Sequence, residues 1–174
     1  FKDNNELRIG YFSLTSDIAL EKTYYDRAFI NETFYGNFQG NGHEISNLSL
    51  YGGDEIGFFA DLNGTVVDLG ITECFIRYGE DSGAIAGRNN GNIENCFSTG
   101  KIISEYRGGG LVGFNEGQII DSYSSAEITG NYRAGGFTGV NSGSIKRCYC
   151  SGTVGGTGDY LNGFTGSSGS YGSI

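Results

Sequence analysis

The sequence predicts an all-β protein that folds as a right-handed parallel β-helix, a three-sided solenoid with about 26 residues in each coil. Three observations predict this fold class. A phrase recurs at a fixed spacing, the apolar residues follow a period of two, and glycine is unusually abundant. Together they describe one small structural unit that is used several times.

The recurring phrase is built around a short unit of glycines and aliphatic residues. Its copies read "GAIAGRNNGNIENCFSTGKI" from residue 83, "GGLVGFNEGQIIDSYSSAEI" from residue 109 and "GGFTGVNSGSIKRCYCSGTV" from residue 135, so they start 26 residues apart. A degenerate copy starts at residue 57 and a truncated one at residue 163. Self-similarity at a period of about 20–50 residues is typical of solenoids and repeat arrays.

Composition and local pattern agree with a solenoid of strands. The 174 residues include 32 glycines but no proline, methionine or tryptophan, and 37% are hydrophobic, too many for a disordered linker. Segments such as "GSIKRCYCSGTV" are short, rich in β-branched and aromatic residues, and bounded by Gly, Asn and Ser. We therefore expect each coil to hold three strands of about five residues joined by three corners.

The repeat sets the predicted domain organisation. Residues 1–50 supply N-terminal strands and a cap, and residues 51–174 form the coils of a single solenoid domain. The predicted coil boundaries are 57–82, 83–108, 109–134, 135–161 and a partial coil at 162–174. Because bare solenoid ends expose unpaired strand edges, we expect the chain to be a piece of a longer protein that supplies caps or neighbours.

Equivalent residues of stacked coils should form ladders with a spacing of about 4.8 Å. Three apolar ladders are predicted, one for each strand of the coil, and they enclose the core. They are Phe58, Ile85, Leu111, Phe137 and Phe164; Val66, Ile93, Ile119 and Ile145; and Ile102, Ile128 and Val154.

The corners repeat as well. Gly64, Gly91, Gly117 and Gly143 are equivalent, and we expect a left-handed turn conformation there because glycine has no Cβ to oppose it. Asn89, Asn115 and Asn141 each stand two residues before one of these glycines. Stacked asparagines can hydrogen-bond to one another and to the corner backbone, which suits a solenoid bend.

At these residues the chain resembles the GLUG repeat, a motif of bacterial surface and secreted proteins that include large adhesins and the stalks of immunoglobulin-A-cleaving metalloproteases. "LTSDIAL" at 14–20 and "FYGNFQGNGHEISNLSL" at 34–50 are similar to the region that usually precedes such repeats. The resemblance implies a β-helix and an extracellular location at a bacterial surface or in the medium, and its motifs specify the fold more than the function.

The four cysteines do not fit a disulfide framework. Cys96 and Cys148 are equivalent residues two coils apart, which predicts a separation of about 9.6 Å, whereas a disulfide needs Cα atoms within about 7 Å. Cys148 and Cys150 point the same way on one strand, a geometry that rarely closes. We expect the cysteines to act as small buried apolar residues.

Catalytic chemistry has little support in the sequence. His43 is the only histidine, and residue 47 is asparagine, so "GHEIS" cannot complete the H-E-x-x-H zinc motif. Asp68 and Asp121 are equivalent acids, but Asn95 and Arg147 occupy the neighbouring coils, so they make a poor acid–base pair. We predict no enzymatic activity, no metal ion and no cofactor.

The net charge of the chain restricts the classes of molecule that it can be expected to bind. A net charge of −9 and a pI near 4.5 disfavour nucleic acid and anionic membranes. No apolar run approaches the roughly 20 residues needed to span a bilayer.

Two aromatic sets are the candidate binding residues. Phe97, Tyr123 and Tyr149 are equivalent and should point outward. Tyr78, Tyr106, Tyr132 and Tyr160 recur near one corner, with Arg107 and Arg133 after two of them. Either the rings stack on each other to protect the sheet, or they bind a glycan or a host extracellular protein.

The sequence therefore favours a non-catalytic extracellular module that acts as a scaffold, a spacer or an adhesin, with the rest of the parent protein as a further partner. One alternative is an accessory segment of a large secreted protease, whose metal-bearing domain lies outside these residues. A weaker alternative is a carbohydrate-active β-helix enzyme.

Overall fold

A computed structural model of the chain describes residues 8–21, 23–169 and 172–174. Within these ranges only residues 8 and 9 are helical, and all strand pairings are parallel. The strands are β1 (Tyr11–Ser13), β2 (Ile18–Ala19), β3 (Asn37–Gln39), β4 (Glu44–Ser46), β5 (Ser49–Tyr51), β6 (Glu55–Ile56), β7 (Phe59–Leu62), β8 (Thr65–Val67), β9 (Gly70–Ser82), β10 (Ala86–Asn89), β11 (Asn92–Glu94), β12 (Phe97–Gly109), β13 (Val112–Asn115), β14 (Gln118–Ile120), β15 (Tyr123–Ser124), β16 (Glu127–Gly135), β17 (Thr138–Asn141), β18 (Ser144–Lys146), β19 (Tyr149–Cys150), β20 (Val154–Asn162) and β21 (Thr165–Ser168).

The strands form three sheets, one for each side of a solenoid. Sheet 1 has the order β1-β3-β8-β11-β14-β18, and sheet 2 has the order β7-β10-β13-β17-β21. Sheet 3 contains the long strands β9, β12, β16 and β20 together with β2, β4, β5, β6, β15 and β19. The predicted three-sided parallel β-solenoid with coils of about 26 residues is confirmed.

The three sides of a coil are unequal, which the sequence did not predict. Strands of sheets 1 and 2 have three or four residues, whereas β9 and β12 have 13 each. The pairing of β9 with β12 contains three register shifts. Such bulges bend a strand without ending its hydrogen bonds, so one long strand can follow a curved side of the solenoid.

The apolar ladders are confirmed by the register. Ile93 pairs with Val66 and Ile119, and Ile119 pairs with Ile145, and these four side chains are at most 1% exposed. Alternation explains their burial, because the flanking residues of each strand face outward and only the central one faces the core.

The other two ladders also hold. Ile128 pairs with Ile102 and Val154. Phe137 stacks on Phe164 with ring centroids 5.0 Å apart, and Leu111 donates its N–H to the Phe137 carbonyl. The core is therefore a column of apolar side chains, each packed on its equivalent in the next coil.

The prediction of a left-handed conformation at the corner glycines is wrong. None of Gly64, Gly91, Gly117 and Gly143 has a φ in the left-handed region. A Cβ on any of them would instead overlap the carbonyl oxygen of the equivalent glycine one coil earlier, which is Gly36 in the case of Gly64. Glycine is required here because the coils approach each other closely.

The corner at which the backbone is left-handed lies a few residues after each of these glycines, and polar side chains occupy it. Asp68, Asn95, Asp121 and Arg147 have φ values of 55°, 51°, 51° and 52°. Asn and Asp tolerate this region better than most residues, whereas Arg does so less readily. The two predicted acids thus occupy a backbone position that turns the chain between sheets 1 and 3.

The predicted asparagine ladder is confirmed. Asn89 Nδ2 donates to Asn115 Oδ1 at 2.7 Å, and Asn115 Nδ2 donates to Asn141 Oδ1 at 2.8 Å. The Oδ1 atoms of Asn89 and Asn141 accept the N–H groups of Gly91 and Gly143. All three asparagines are fully buried, so these bonds satisfy amide groups that water does not reach.

The N-terminal segment adds coils to the same sheets. Phe12 pairs with Phe38, and Phe38 pairs with Val66, so both residues lengthen the ladder of sheet 1. A hollow of about 240 Å³ lies at this end of the core and is lined mainly by apolar side chains, including Phe12, Ile18 and Phe58. The described residues contain no helix long and apolar enough to cross a membrane.

The four cysteines are free thiols. Cys74 and Cys96 are buried as predicted, and burial raises the pKa of each thiol to about 12. Cys148 and Cys150 are only half-buried. A thiol whose pKa is raised carries little thiolate at neutral pH, so the two buried cysteines act as small core residues.

Candidate functional site

The first candidate set, Phe97, Tyr123 and Tyr149, forms a continuous stack that we call the aromatic row. Tyr123 pairs with Phe97 on one side and with Tyr149 on the other. The centroids of successive rings are 5.1 and 5.0 Å apart, and the ring planes differ by 6° and 4°. Partial burial, together with the neighbouring Tyr149, raises the pKa of the Tyr123 hydroxyl.

The stack determines which ring faces are available. Both faces of Tyr123 are covered by its neighbours, because parallel rings at this distance are in contact. The row starts over Gly70, where a Cβ would overlap the Phe97 ring, and it ends at Tyr149, which is 57% exposed. The row thus presents ring edges along the sheet and one open face at its end.

The second candidate set lies on the long strands of sheet 3. Tyr106 stacks on Tyr132 with centroids 5.1 Å apart and planes 21° apart. A register shift after Gly130 places Asp159, not Tyr160, opposite Tyr132, and the Tyr132 and Tyr160 rings meet edge to face at 5.4 Å. Tyr78 is not part of this stack and packs on Tyr51 instead.

Both candidate arginines pack against other side chains of the protein. Arg107 makes a bidentate ion pair with Asp81, with Nη2 donating to Oδ2 at 2.7 Å, and its guanidinium carbon lies 4.5 Å from the Phe114 ring centroid. Asp81 is 2% exposed, and burial raises its pKa to about 6 although Arg107 opposes the shift. The Arg133 guanidinium carbon lies 5.1 Å from the Tyr132 ring centroid, and its Nε is buried without a partner among the described residues.

The acids considered for catalysis also form hydrogen bonds or ion pairs within the protein. Arg147 Nε and Nη2 donate to the two carboxylate oxygens of Asp121 at 2.6 Å each, which lowers the pKa of Asp121. Asn95 Nδ2 donates to Asp68. Each acid therefore pairs with the residue at its own corner one coil later, which stabilises the stack of coils.

His43 serves a similar purpose. Its Nδ1 lies 3.0 Å from Asp17 Oδ1, which also accepts the N–H of Glu44. These contacts, led by the Glu44 N–H, lower the pKa of Asp17. Over the ranges that the structure describes, no three His, Cys, Asp or Glu residues come together as a metal would require.

Another cluster was missed by the sequence interpretation. A hollow of about 370 Å³ is lined by Tyr24, Tyr25, Asp26, Tyr51 and Arg77. Tyr25 forms a parallel bridge with Leu50, which brings residues 24–26 onto the edge of sheet 3. Tyr51 and Arg77 pair at the repeat spacing of 26 residues, and the sequence signal for the other residues was the density of aromatics in "TYYD" and "IRYG".

Comparisons with known proteins support the resemblance stated from the sequence. The family model described as the GLUG motif matches residues 78–103. Halomucin of Haloquadratum walsbyi is 36% identical over 83 residues, which is 45% of this chain and 1% of halomucin. This chain therefore spans a very small part of that relative. No protein of known structure matches.

Proposed function

Because residues 78–103 carry the GLUG motif, we propose that this chain is a non-catalytic scaffold and spacer module of an extracellular protein. The observation that carries the proposal is the ladder register, in which each coil pairs with its equivalent residues in the next. Each additional coil lengthens such a structure along its axis, and added length is what a spacer provides. The likeness to halomucin and the association of GLUG repeats with surface proteins support the extracellular location.

The stack has the properties of a spacer. Sheet 1 has six strands and so five intervals of about 4.8 Å, a rise of about 24 Å. Its coils are tied by hydrogen-bond ladders and by ion pairs between neighbouring coils, such as Lys101 with Glu127 and Arg147 with Asp121. Bonds that join consecutive coils resist separation along the axis, which a spacer requires.

The location is tested on cells that make the parent protein. An antibody raised against this chain should label intact cells or the medium, and external protease should remove the cell-bound label. An antibody to a cytoplasmic protein is the control for lysis. Labelling that occurs only after permeabilisation would refute the proposed location.

Adhesion is the second candidate, and the exposed Tyr149 at the end of the aromatic row favours it. Here a glycan or a host extracellular protein would contact Phe97, Tyr123 and Tyr149, or the second set of Tyr106, Arg107, Tyr132 and Arg133. A screen of glycan and matrix-protein arrays tests the idea with a Tyr123→Ala, Tyr149→Ala double variant. Binding lost in a folded variant supports adhesion, whereas reduced stability with unchanged binding supports packing alone.

A further inference from the structure

The hollow lined by Tyr24 and Arg77 is one half of a larger feature. A second hollow, of about 270 Å³, is lined by Tyr24, Asn47, Ser49, Glu73 and Phe75. Tyr24 lines both hollows, so they adjoin at this residue. We call the pair of hollows the tyrosine groove. It lies on sheet 3, away from the clear repeats.

The groove exposes aromatic surface in a way that the aromatic row does not. Tyr24 and Tyr51 are 58% and 51% exposed. Tyr24 meets Phe75 at 6.3 Å with planes 62° apart, and Tyr51 meets Tyr78 at 5.5 Å with planes 76° apart. Edge-to-face contacts leave at least one ring face in each pair uncovered by its aromatic neighbour, so the groove offers open faces on which a flat apolar surface can stack.

Arg77 lies in the groove and is positioned by aromatic rings. Its Nη2 donates to the Tyr78 hydroxyl at 2.8 Å, and its guanidinium carbon lies 4.8 Å from the Tyr78 centroid and 5.5 Å from that of Phe75. Its Nε is buried without a hydrogen-bond partner in the described part of the chain. Arg107 and Arg147 differ, because each is ion-paired with an aspartate.

Donors and acceptors surround the open ring faces. Arg77 supplies donors, the Asn47 amide supplies both kinds of group, and the Asp26 and Glu73 carboxylates supply acceptors. Asp26 pairs with Arg27, yet its side chain remains 79% exposed. A hydroxyl both donates and accepts, so a ligand with many hydroxyls and apolar C–H faces matches this mixture.

We propose that the tyrosine groove binds a neutral oligosaccharide. Sugar rings would stack on Tyr24 and Tyr51 through their C–H faces, while their hydroxyls bond to Arg77, Asn47 and the two carboxylates. An acidic saccharide fits less well, since Asp26, Glu73 and the net charge of −9 repel it. The scaffold role does not depend on this site, so either proposal can fail alone.

The test is an array of immobilised neutral and acidic oligosaccharides probed with the whole chain. We expect binding to neutral glycans, and each hit is then titrated as a free oligosaccharide. Tyr24→Ala and Glu73→Gln should each weaken binding by about tenfold or more, because the first removes a stacking face and the second replaces one of the two acceptor oxygens of the carboxylate by an amide donor. Both positions are exposed, so these variants should keep the fold.

Two further variants control for nonspecific effects. Tyr35→Ala removes a tyrosine that is 55% exposed outside the groove, and Tyr149→Ala changes the end of the aromatic row. Tyr35→Ala should bind within about twofold of the wild type, a difference well under 1 kcal/mol, and Tyr149→Ala should weaken binding less than Tyr24→Ala does, which separates the groove from the aromatic row. The proposal is overturned by an empty array, by hits restricted to acidic glycans, or by binding that Tyr149→Ala abolishes and Tyr24→Ala does not.

Discussion

Replacing Asn115 by alanine should destabilise the protein far more than the small number of atoms removed suggests. Asn115 stands in the middle of the ladder, where it accepts a hydrogen bond from Asn89 and donates one to Asn141, and all three side chains are fully buried. In the variant, Asn89 Nδ2 loses its acceptor in a place without water. Asn141 Oδ1 loses one donor but still accepts the N–H of Gly143.

These losses set the magnitude. An unsatisfied buried amide costs about 1–3 kcal/mol, and the loss of a hydrogen bond from an acceptor that keeps another partner costs about 0.5–1.5 kcal/mol. The free energy of unfolding should therefore fall by about 1.5–4.5 kcal/mol, a large part of the roughly 5–15 kcal/mol typical of a domain.

Urea unfolding followed by far-ultraviolet circular dichroism measures the change. Asn92→Ala is the matched control, because Asn92 is exposed on β11, and its free energy of unfolding should change by no more than about 0.5 kcal/mol. If Asn115→Ala also costs less than about 0.5 kcal/mol with an unchanged dependence on urea concentration, the ladder does not stabilise the corner and the reasoning is refuted.

Other features of the stack lead to three more predictions. Gly117→Ala should lower the free energy of unfolding by about 1–3 kcal/mol in the same assay, since its Cβ would overlap the Gly91 carbonyl oxygen; an unchanged stability would contradict the close approach. A variant that lacks residues 109–134, one whole coil, should still fold cooperatively and be shorter by about 4.8 Å in small-angle X-ray scattering. A variant that lacks residues 109–121 should not fold, because the loss of half a coil puts every later ladder out of register. The pKa of Asp81 is about 6 in the folded protein against 3.8 for the free side chain, so the folded state binds this proton more tightly than the unfolded state does. The contribution of Asp81 to the free energy of unfolding is therefore fully present below about pH 4. It is lost as the pH rises through 6. Urea unfolding between pH 4 and 7 should thus show a decline in wild type that Asp81→Asn reduces, and equal slopes in the two proteins would contradict the raised pKa.

The glycine corner and the aromatic row show where sequence interpretation succeeds and where it stops. The sequence located both sets as recurring positions, and the register confirms that Phe97, Tyr123 and Tyr149 are stacked equivalents. It assigned the wrong cause to the glycines, because a repeated glycine is compatible with either a left-handed turn or a close contact. The backbone φ of the glycines and the separation of the coils distinguish the two.

The tyrosine groove could not be predicted in the same way. Arg77 lies opposite Tyr51 at the repeat spacing of 26 residues, but Tyr24 belongs to an N-terminal segment that carries no recognisable copy of the repeat, so the sequence did not place it beside them. Their meeting depends on the parallel bridge between Tyr25 and Leu50 and on the pairing of Tyr51 with Arg77.

The sequence by itself determined the solenoid, its period of about 26 residues and its apolar and asparagine ladders. A repeated coil can bury its apolar face only against its own copy, so the period also specifies which residues meet. The tertiary structure decided the unequal sides, the closeness of the coils, the direction of the ring faces and the groove outside the repeats. These depend on how bulges bend the long strands and how the irregular N-terminal segment lies on them, which no periodic pattern records.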